Sequence, residues 1–287
     1  MCFAFFVVPA FAEEPLPSWE FGYTSITQIE DRASGFSPDI FPTVEKATFD
    51  KYAVDGKIPS SVSAFLLREP GGGYVLFDTA LGTPDGKLKK NLGKAMGGKY
   101  EPEKVVKVLL THLHGDHIGG LLDGDARRFP NATVHCSEPE AEYWNKQNNA
   151  LVEKVKKAYG DDFQAFSFDT KHEFNKNWNI SPVNITSLDA AGHTPGHTVY
   201  LIESGDEKFL ILGDLLHAAA LQFPHPEICA KYDVNSEEAV KARRRILDMA
   251  AEENIPVAGM HLPAPGMGFV KKNADGGYDF TPIEAQK

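Results

Sequence analysis

The chain has 287 residues, 42% of them hydrophobic and 24% charged, with a formal net charge of -11. That is enough apolar material for a sizeable buried core, and no long low-complexity tract interrupts it, which argues against disorder. An acidic chain with no basic stripe repels phosphate backbones, so nucleic acid is excluded as a favoured partner.

The chain opens with an apolar run, Cys2–Val8, followed by Pro9 and the A-x-A pattern Ala10-Phe11-Ala12. This predicts a secretory signal over residues 1–12 and one domain over 13–287, in the periplasm or secreted. A basic segment ahead of the run is missing. The alternative is an apolar first strand and a cytoplasmic protein. The run is too short to span a bilayer. Cys2, Cys136 and Cys229 make no disulfide framework, although the last two could pair in an oxidising compartment. No C-x-x-C occurs, which disfavours thiolate metal sites and thioredoxin-type redox chemistry.

Trp19–Ile29 is rich in β-formers and reads as an edge strand, and Glu30–Ser60, with Pro38, Pro42 and Pro59, as a long irregular segment. Val62–Leu67 and Tyr74–Phe77 form a hairpin around a Pro-Gly-Gly-Gly turn. Gly86–Met96 has helical character, and Val105–Leu110 is a buried strand. Ser137–Tyr159 is mostly helical, with Ser137 and Glu140 at capping-box spacing. Phe209–Leu212 is a second buried strand. Ser236–Asn254 is an amphipathic helix with Ser236 as its N-cap. Ile255–Met260 is a strand, and Gly268–Lys272 with Tyr278–Pro282 a closing hairpin. The strands Tyr74–Phe77 and Phe209–Leu212 are both followed by Asp, at Asp78 and Asp214, which suggests two similar βα halves facing each other.

Val105–Leu110 runs directly into THLHGDHIGG, where His112, His114, Asp116 and His117 fall within six positions. Glycine-punctuated loops at strand ends can converge such side chains on one point. Imidazole and carboxylate at close quarters suit a borderline divalent cation, and two adjacent pairs point to two ions. A second glycine-punctuated loop, AGHTPGH, carries His193, and further donors stand where other strands end: Asp214 after Phe209–Leu212, and His261 after Ile255–Met260.

This donor order resembles the metallo-β-lactamase superfamily, whose signature is H-x-H-x-D-H followed by distant His, Asp and His. The segments AGHTPGHTVYLIESG, LILGDLLHAAALQF and GMHLPAPGMGF are similar to the methyl parathion hydrolase group and its lactonase and arylesterase relatives. The resemblance implies an α/β fold: a four-layer αβ/βα sandwich with two central mixed sheets flanked by helices. It implies two divalent ions, Zn2+ foremost. His112, His114 and His193 would hold one, Asp116, His117 and His261 the other, with Asp214 bridging. Trp144 matches a pocket tryptophan of that group.

Two cations sharing a hydroxide lower its pKa toward neutrality, so no Ser or Cys nucleophile is needed. The expected reaction is hydrolysis of a small-molecule lactone or aryl ester, with organophosphate triesters as promiscuous substrates. The alternatives are β-lactam or glutathione-thioester hydrolysis, and a ligand sensor without turnover. Glutathione-thioester hydrolases usually carry a basic C-terminal helical region, whereas this chain ends in a hairpin. A homodimer remains open.

His217, three residues after Asp214, could donate to a developing oxyanion or protonate a leaving group. Its simpler reading is a solvated histidine on the pocket rim. Tyr232 is a second polar candidate on the same wall. Phe36, Phe41 and Phe49 form either an apolar lid, with Phe41 in the substrate pocket, or core. Asp78 is expected to orient the metal loops, His197 to support ligands, and Arg243-Arg244-Arg245 to be a solvated helix face. His135, His172 and His225 are read as surface or packing residues.

Overall fold

The computed structural model describes residues 15–168, 174–180 (as backbone) and 182–284. The signal reading of residues 1–12 and His172 lie outside them. The first half runs β1 (Ser18–Phe21), β2 (Thr24–Phe36), α1 (Lys46–Asp50), β3 (Ile58–Arg68), β4 (Tyr74–Phe77), α2 (Leu88–Ala95), β5 (Val105–Leu109), α3 (Gly115–Ile118), the short pair β6 (Leu122–Asp123) and β7 (Ala126–Arg127), β8 (Thr133–Ser137), α4 (Glu138–Gln147), α5 (Ala150–Tyr159) and β9 (Phe163–Phe166). The second half runs β10 (Phe174–Ile180), β11 (Val183–Asp189), β12 (Thr198–Ser204), β13 (Glu207–Ile211), α6 (Ala219–Gln222), α7 (Ser236–Glu252), β14 (Val257–Ala258), β15 (Met267–Lys272) and β16 (Tyr278–Pro282).

The strands form two seven-stranded sheets, in the orders β1-β2-β3-β4-β5-β8-β9 and β10 through β16 in sequence. Both are mixed. The first is antiparallel as far as β4 and parallel from β4 to β9, and the second is parallel only at β13–β14. Successive side chains along each strand serve opposite layers, as a period of two requires. Phe65, Val75, Phe77 and Leu109 meet Tyr200, Ile202, Phe209 and Ile211 between the sheets. Leu66, Leu76, Val108 and Leu110 face outward under Leu88, Leu92, Trp144, Val152 and Val155 of the helices. On the far side Val199, Leu201, Leu210 and Leu212 pack on Ile246, Leu247 and Ala250 of α7. The result is the four-layer αβ/βα sandwich.

Strands covered on both faces read as unbroken apolar runs rather than alternating ones. This is why β4, β5 and β13 stand out in the sequence. Several boundaries differ from expectation. β2 runs for 13 residues to Phe36 and β3 begins at Ile58, so the irregular segment shortens to residues 37–57 and carries α1. As a cap it buries Ile40, Phe41 and Phe49 against Ala218, Leu221 and Ala230. The helical stretch after Ser137 is two helices, broken at Asn148, which takes a left-handed backbone at φ 50. Asn235, not Ser236, caps α7, its side chain accepting from the Glu238 N–H. The strand expected over Ile255–Met260 pairs only at Val257–Ala258. Arg243 is not solvated: it is 1% exposed, and its guanidinium donates to the carbonyls of Leu215, Pro226 and Ile228.

The four donor loops all leave strand ends at one rim: after β5, β11, β13 and β14. Backbone bonds hold the two sheets together there. Thr198 N donates to Thr111 O at 2.8 Å, and Ser61 N to His261 O at 3.2 Å.

Candidate metal centre

The loop after β5 is set by Asp78, at the end of β4. Asp78 is fully buried and takes a left-handed backbone at φ 53. Its Oδ1 accepts from Thr111 N, and its Oδ2 from Thr111 Oγ1 and His117 Nδ1, each at 2.7 Å. With its proton on Nδ1, His117 presents a bare Nε2, which has no hydrogen-bond partner.

The same logic fixes three other imidazoles. The Thr111 hydroxyl donates to Asp78, so it accepts from His112 Nδ1 at 3.0 Å. His193 Nδ1 donates to Asp233 Oδ1 at 2.9 Å, and His261 Nδ1 to Ser61 O at 2.8 Å. In each ring the free Nε2 turns inward.

His112 Nε2, His114 Nδ1 and His193 Nε2 converge, at 2.8, 3.0 and 3.3 Å from one another. The His112 and His193 nitrogens, whose protons sit on the far side of each ring, repel at such a distance unless a cation lies between them. A tetrahedral ion with bonds of about 2.0–2.1 Å holds its ligand atoms about 3.3 Å apart, close to this spacing. Burial, reinforced by His193, drives the His114 pKa down to about 3, and burial with His117 drives His112 well below its usual value. Both rings are therefore held neutral, the form that binds metal.

A second group comprises Asp116, His117 and His261. His117 Nε2 lies 3.8 Å from Asp116 Oδ1, and His261 Nε2 3.5 Å from Asp116 Oδ2. Asp214 stands between the groups. Its Oδ1 is 3.2 Å from His117 Nε2, and its Oδ2 is 3.2 Å from His261, 3.4 Å from His193 and 3.7 Å from His112. Burial alone would raise the Asp214 pKa, but the surrounding imidazoles outweigh it and hold the carboxylate well below the usual range. Burial opposes a proton on His117, yet Asp214, Asp78 and Asp116 outweigh it and raise that pKa well above normal. An acidic cradle that draws positive charge inward, with a buried Asp214 Oδ1 left without a donor, fits two divalent cations.

Gly213 delivers Asp214 to this point. Its φ is +57, and a Cβ there would meet His197 Nε2 at 2.6 Å and Thr111 Cβ at 2.7 Å. His197 supports the same turn: Nδ1 donates to Ala190 O and Nε2 accepts from Asp214 N at 3.0 Å.

The open side of the site is a cavity of about 310 Å³ walled by Phe36, Gly115, His217 and Tyr232. His217 is 1% exposed, which overturns the rim reading. Its Nε2 is 3.3 Å from Asp214 Oδ2, and neither ring nitrogen has a hydrogen-bond partner. Tyr232 stands 42% exposed with its ring 6.0 Å from that of His217. Phe41 does not reach the cavity. It is buried behind Phe36, whose ring lies edge-on to Phe41, His217 and His261 at 6.0, 5.8 and 5.5 Å. The correction follows from the extra length of β2, which carries Phe36 to the site and leaves Phe41 to the cap core. The Trp144 ring packs edge-on against His114 at 5.3 Å. Cys136 and Cys229 are free thiols.

Two supporting residues escaped the sequence reading. Asp233 carries no motif, and only its place after Tyr232 hints at it. Glu140 was visible, but capping-box spacing supplied a sufficient local explanation.

The sequence profile of the metallo-beta-lactamase superfamily matches residues 58–256. The chain belongs to the metallo-beta-lactamase superfamily. The match takes in every donor of the site except His261. Among superfamily members of known structure, the hydrolase AbOPH is 28% identical with a TM-score of 0.81, covering 95% of this chain and 99% of its own. AidC, described as a dizinc quorum-quenching lactonase in complex with a product, is 26% identical with a TM-score of 0.82 over the same shares. A hydroxyacylglutathione hydrolase of Methylococcus capsulatus is 25% identical over 193 residues, 67% of this chain. The chain spans 59% of that relative's length.

Proposed function

We propose that this superfamily member is a dinuclear metal-dependent hydrolase of lactones and aryl esters. The observation that carries the reading is the convergence of five imidazoles and Asp116 around Asp214, with the outer nitrogens of four of the rings already committed to Asp78, Thr111, Asp233 and Ser61. Two divalent ions, Zn2+ by the character of the donors, would supply acidification of a water nucleophile and Lewis-acid polarisation of a carbonyl.

The chain's own groups do the rest. Phe36 and Tyr232 present an apolar face and a phenol to the substrate. His217, desolvated and unpartnered, offers an N–H toward the oxygen on which negative charge develops. Burial lowers its pKa, so the neutral imidazole is the donating form. Two polar groups on this wall favour a lactone or ester over a phosphotriester, and the likeness to a lactonase points the same way. The resemblance of AGHTPGHTVYLIESG and LILGDLLHAAALQF to the methyl parathion hydrolase group is the support for slow organophosphate triester cleavage as a secondary activity. If residues 1–12 are a secretory signal, the enzyme works in the periplasm or outside the cell. Among the described residues no helix is long and apolar enough to cross a membrane.

The test is turnover of dihydrocoumarin, p-nitrophenyl acetate, an acyl-homoserine lactone and paraoxon-methyl by purified, metal-quantified protein. Chelator-sensitive hydrolysis of the lactones or esters, faster than of the triester, is expected. Turnover that survives complete metal removal, or two bound ions with no turnover of any of the four, would overturn the reading.

A further inference from the structure

Glu140, on the first turn of α4, has no solvent exposure and takes no part in the donor set. The capping-box role suggested by its spacing is half filled: Ser137 Oγ accepts from Glu140 N, but the Glu140 carboxylate turns away into the molecule. There its two oxygens divide their partners. Oε1 accepts from Leu113 N at 2.9 Å and Trp144 Nε1 at 2.6 Å. Oε2 accepts from Thr194 Oγ1 at 2.6 Å and Gly196 N at 3.1 Å.

Leu113 lies between His112 and His114, and Thr194 follows His193. One carboxylate thus spans the two loops whose imidazoles converge at 2.8–3.3 Å. Trp144, which packs on His114, hangs from the same oxygen as Leu113. The approach is close: a Cβ on Gly196 would lie 2.2 Å from Glu140 N. Among the described residues no comparable tie reaches Asp116, His117 or His261; His117 is held by Asp78 and His261 by Ser61.

We propose that Glu140 is a positioning residue that sets the spacing of His112, His114 and His193, and so the affinity of one cation site and not the other. This rests on the dinuclear reading above. Glutamine at 140 keeps the volume but turns an NH2 donor toward one pair of the four converging donors, so one loop must detach. Supporting groups of this kind typically change metal affinity about 10–100-fold.

The experiment isolates each site and titrates Zn2+ against a chromophoric chelator. Asp116→Ala retains the site of His112, His114 and His193; His114→Ala retains the other. Adding Glu140→Gln should weaken Zn2+ about 10–100-fold in the Asp116→Ala background and change it less than about threefold in the His114→Ala background. Equal weakening in both backgrounds, or none in the first, overturns the proposal. Thr194→Val, nearly isosteric and lacking only one of the four donors, should shift the same site in the same direction by a smaller factor. It decides the question if Glu140→Gln does not fold. A parent protein that takes up no cation overturns both this inference and the dinuclear reading; a parent that binds two ions with Glu140→Gln silent overturns this one alone.

Discussion

Asp78 and Asp214 face opposite nitrogens of one buried ring: Asp78 Oδ2 lies 2.7 Å from His117 Nδ1, and Asp214 Oδ1 3.2 Å from His117 Nε2. The two carboxylates come from equivalent strand ends in the two halves, β4 and β13, yet do different work. Asp78 is enclosed by donors from the protein and fixes a tautomer. Asp214 keeps an oxygen without a donor and faces the site.

Asp78→Asn should therefore impair metal binding without touching a metal ligand. The amide can offer an acceptor to Thr111 or to His117 but not the full set, so His117 loses its fixed tautomer. Zn2+ affinity at the site of His117 is expected to fall about 10–100-fold, read by competition with a chelator. Unchanged affinity would show that the tautomer is held by other means.

Asp214→Ala should abolish hydrolysis and lower metal content together, measured by elemental analysis of the purified variant beside the parent. Asp214 lies within 3.2–3.7 Å of imidazoles from both groups, so its removal takes a ligand from both sites at once. Full metal content in the variant would refute a bridging place for this carboxylate.

His217→Ala should keep both metals and lose rate. If its N–H acts only as charge develops, kcat for dihydrocoumarin falls about 100-fold with KM nearly unchanged. A rise in KM alone would make it a binding residue, and unchanged turnover would remove it from the mechanism.

Phe36→Ala and Phe41→Ala should separate function from stability. Phe36 walls the cavity, so its loss should raise KM for long-chain lactones with little change in melting temperature. Phe41 packs in the cap core, so its loss should cost about 3–5 kcal/mol of stability, measured by thermal or denaturant unfolding. A reversal of these effects would contradict the assignment of the two rings.

Burial also pushes the Cys136 thiol far above the ordinary cysteine range, and Glu140 adds to the shift. The thiolate is the reactive form, so Cys136 should resist alkylation in the native protein up to mildly alkaline pH and react only on unfolding. Mass mapping of the alkylated cysteines checks this, with labelling of Cys136 in the folded protein as the contrary result.

The donor set was legible in the sequence because most of its ligands follow short apolar strands in glycine-punctuated segments, so chain order alone brought His112, His114, Asp116, His117, Asp214 and His261 to strand ends. The αβ/βα layering was legible through family resemblance and, in the residues, through paired strand-Asp endings. The strands β8, β9, β11 and β12 were not: Thr133–Ser137 mixes His and Ser into a buried inner strand, and Thr198–Ser204 mixes Glu203 and Ser204 into its apolar run. The length of β2 was hidden by Asp31, Arg32 and Ser34, polar residues inside a strand whose partner and helix cover supply their bonds.

What the sequence determined by itself is the chemistry, since residue type and order suffice to say which atoms can bind a divalent ion. Which of those atoms face inward was decided only in the folded chain. An imidazole offers either nitrogen, and the choice belongs to partners such as Asp78, Asp233 and Ser61. Two of those three lie tens of residues away along the chain, and the third, Ser61, lies 200 residues from His261. The same distance in sequence concealed Glu140, whose carboxylate acquires its meaning only where two loops from different sheets come within one side chain of each other.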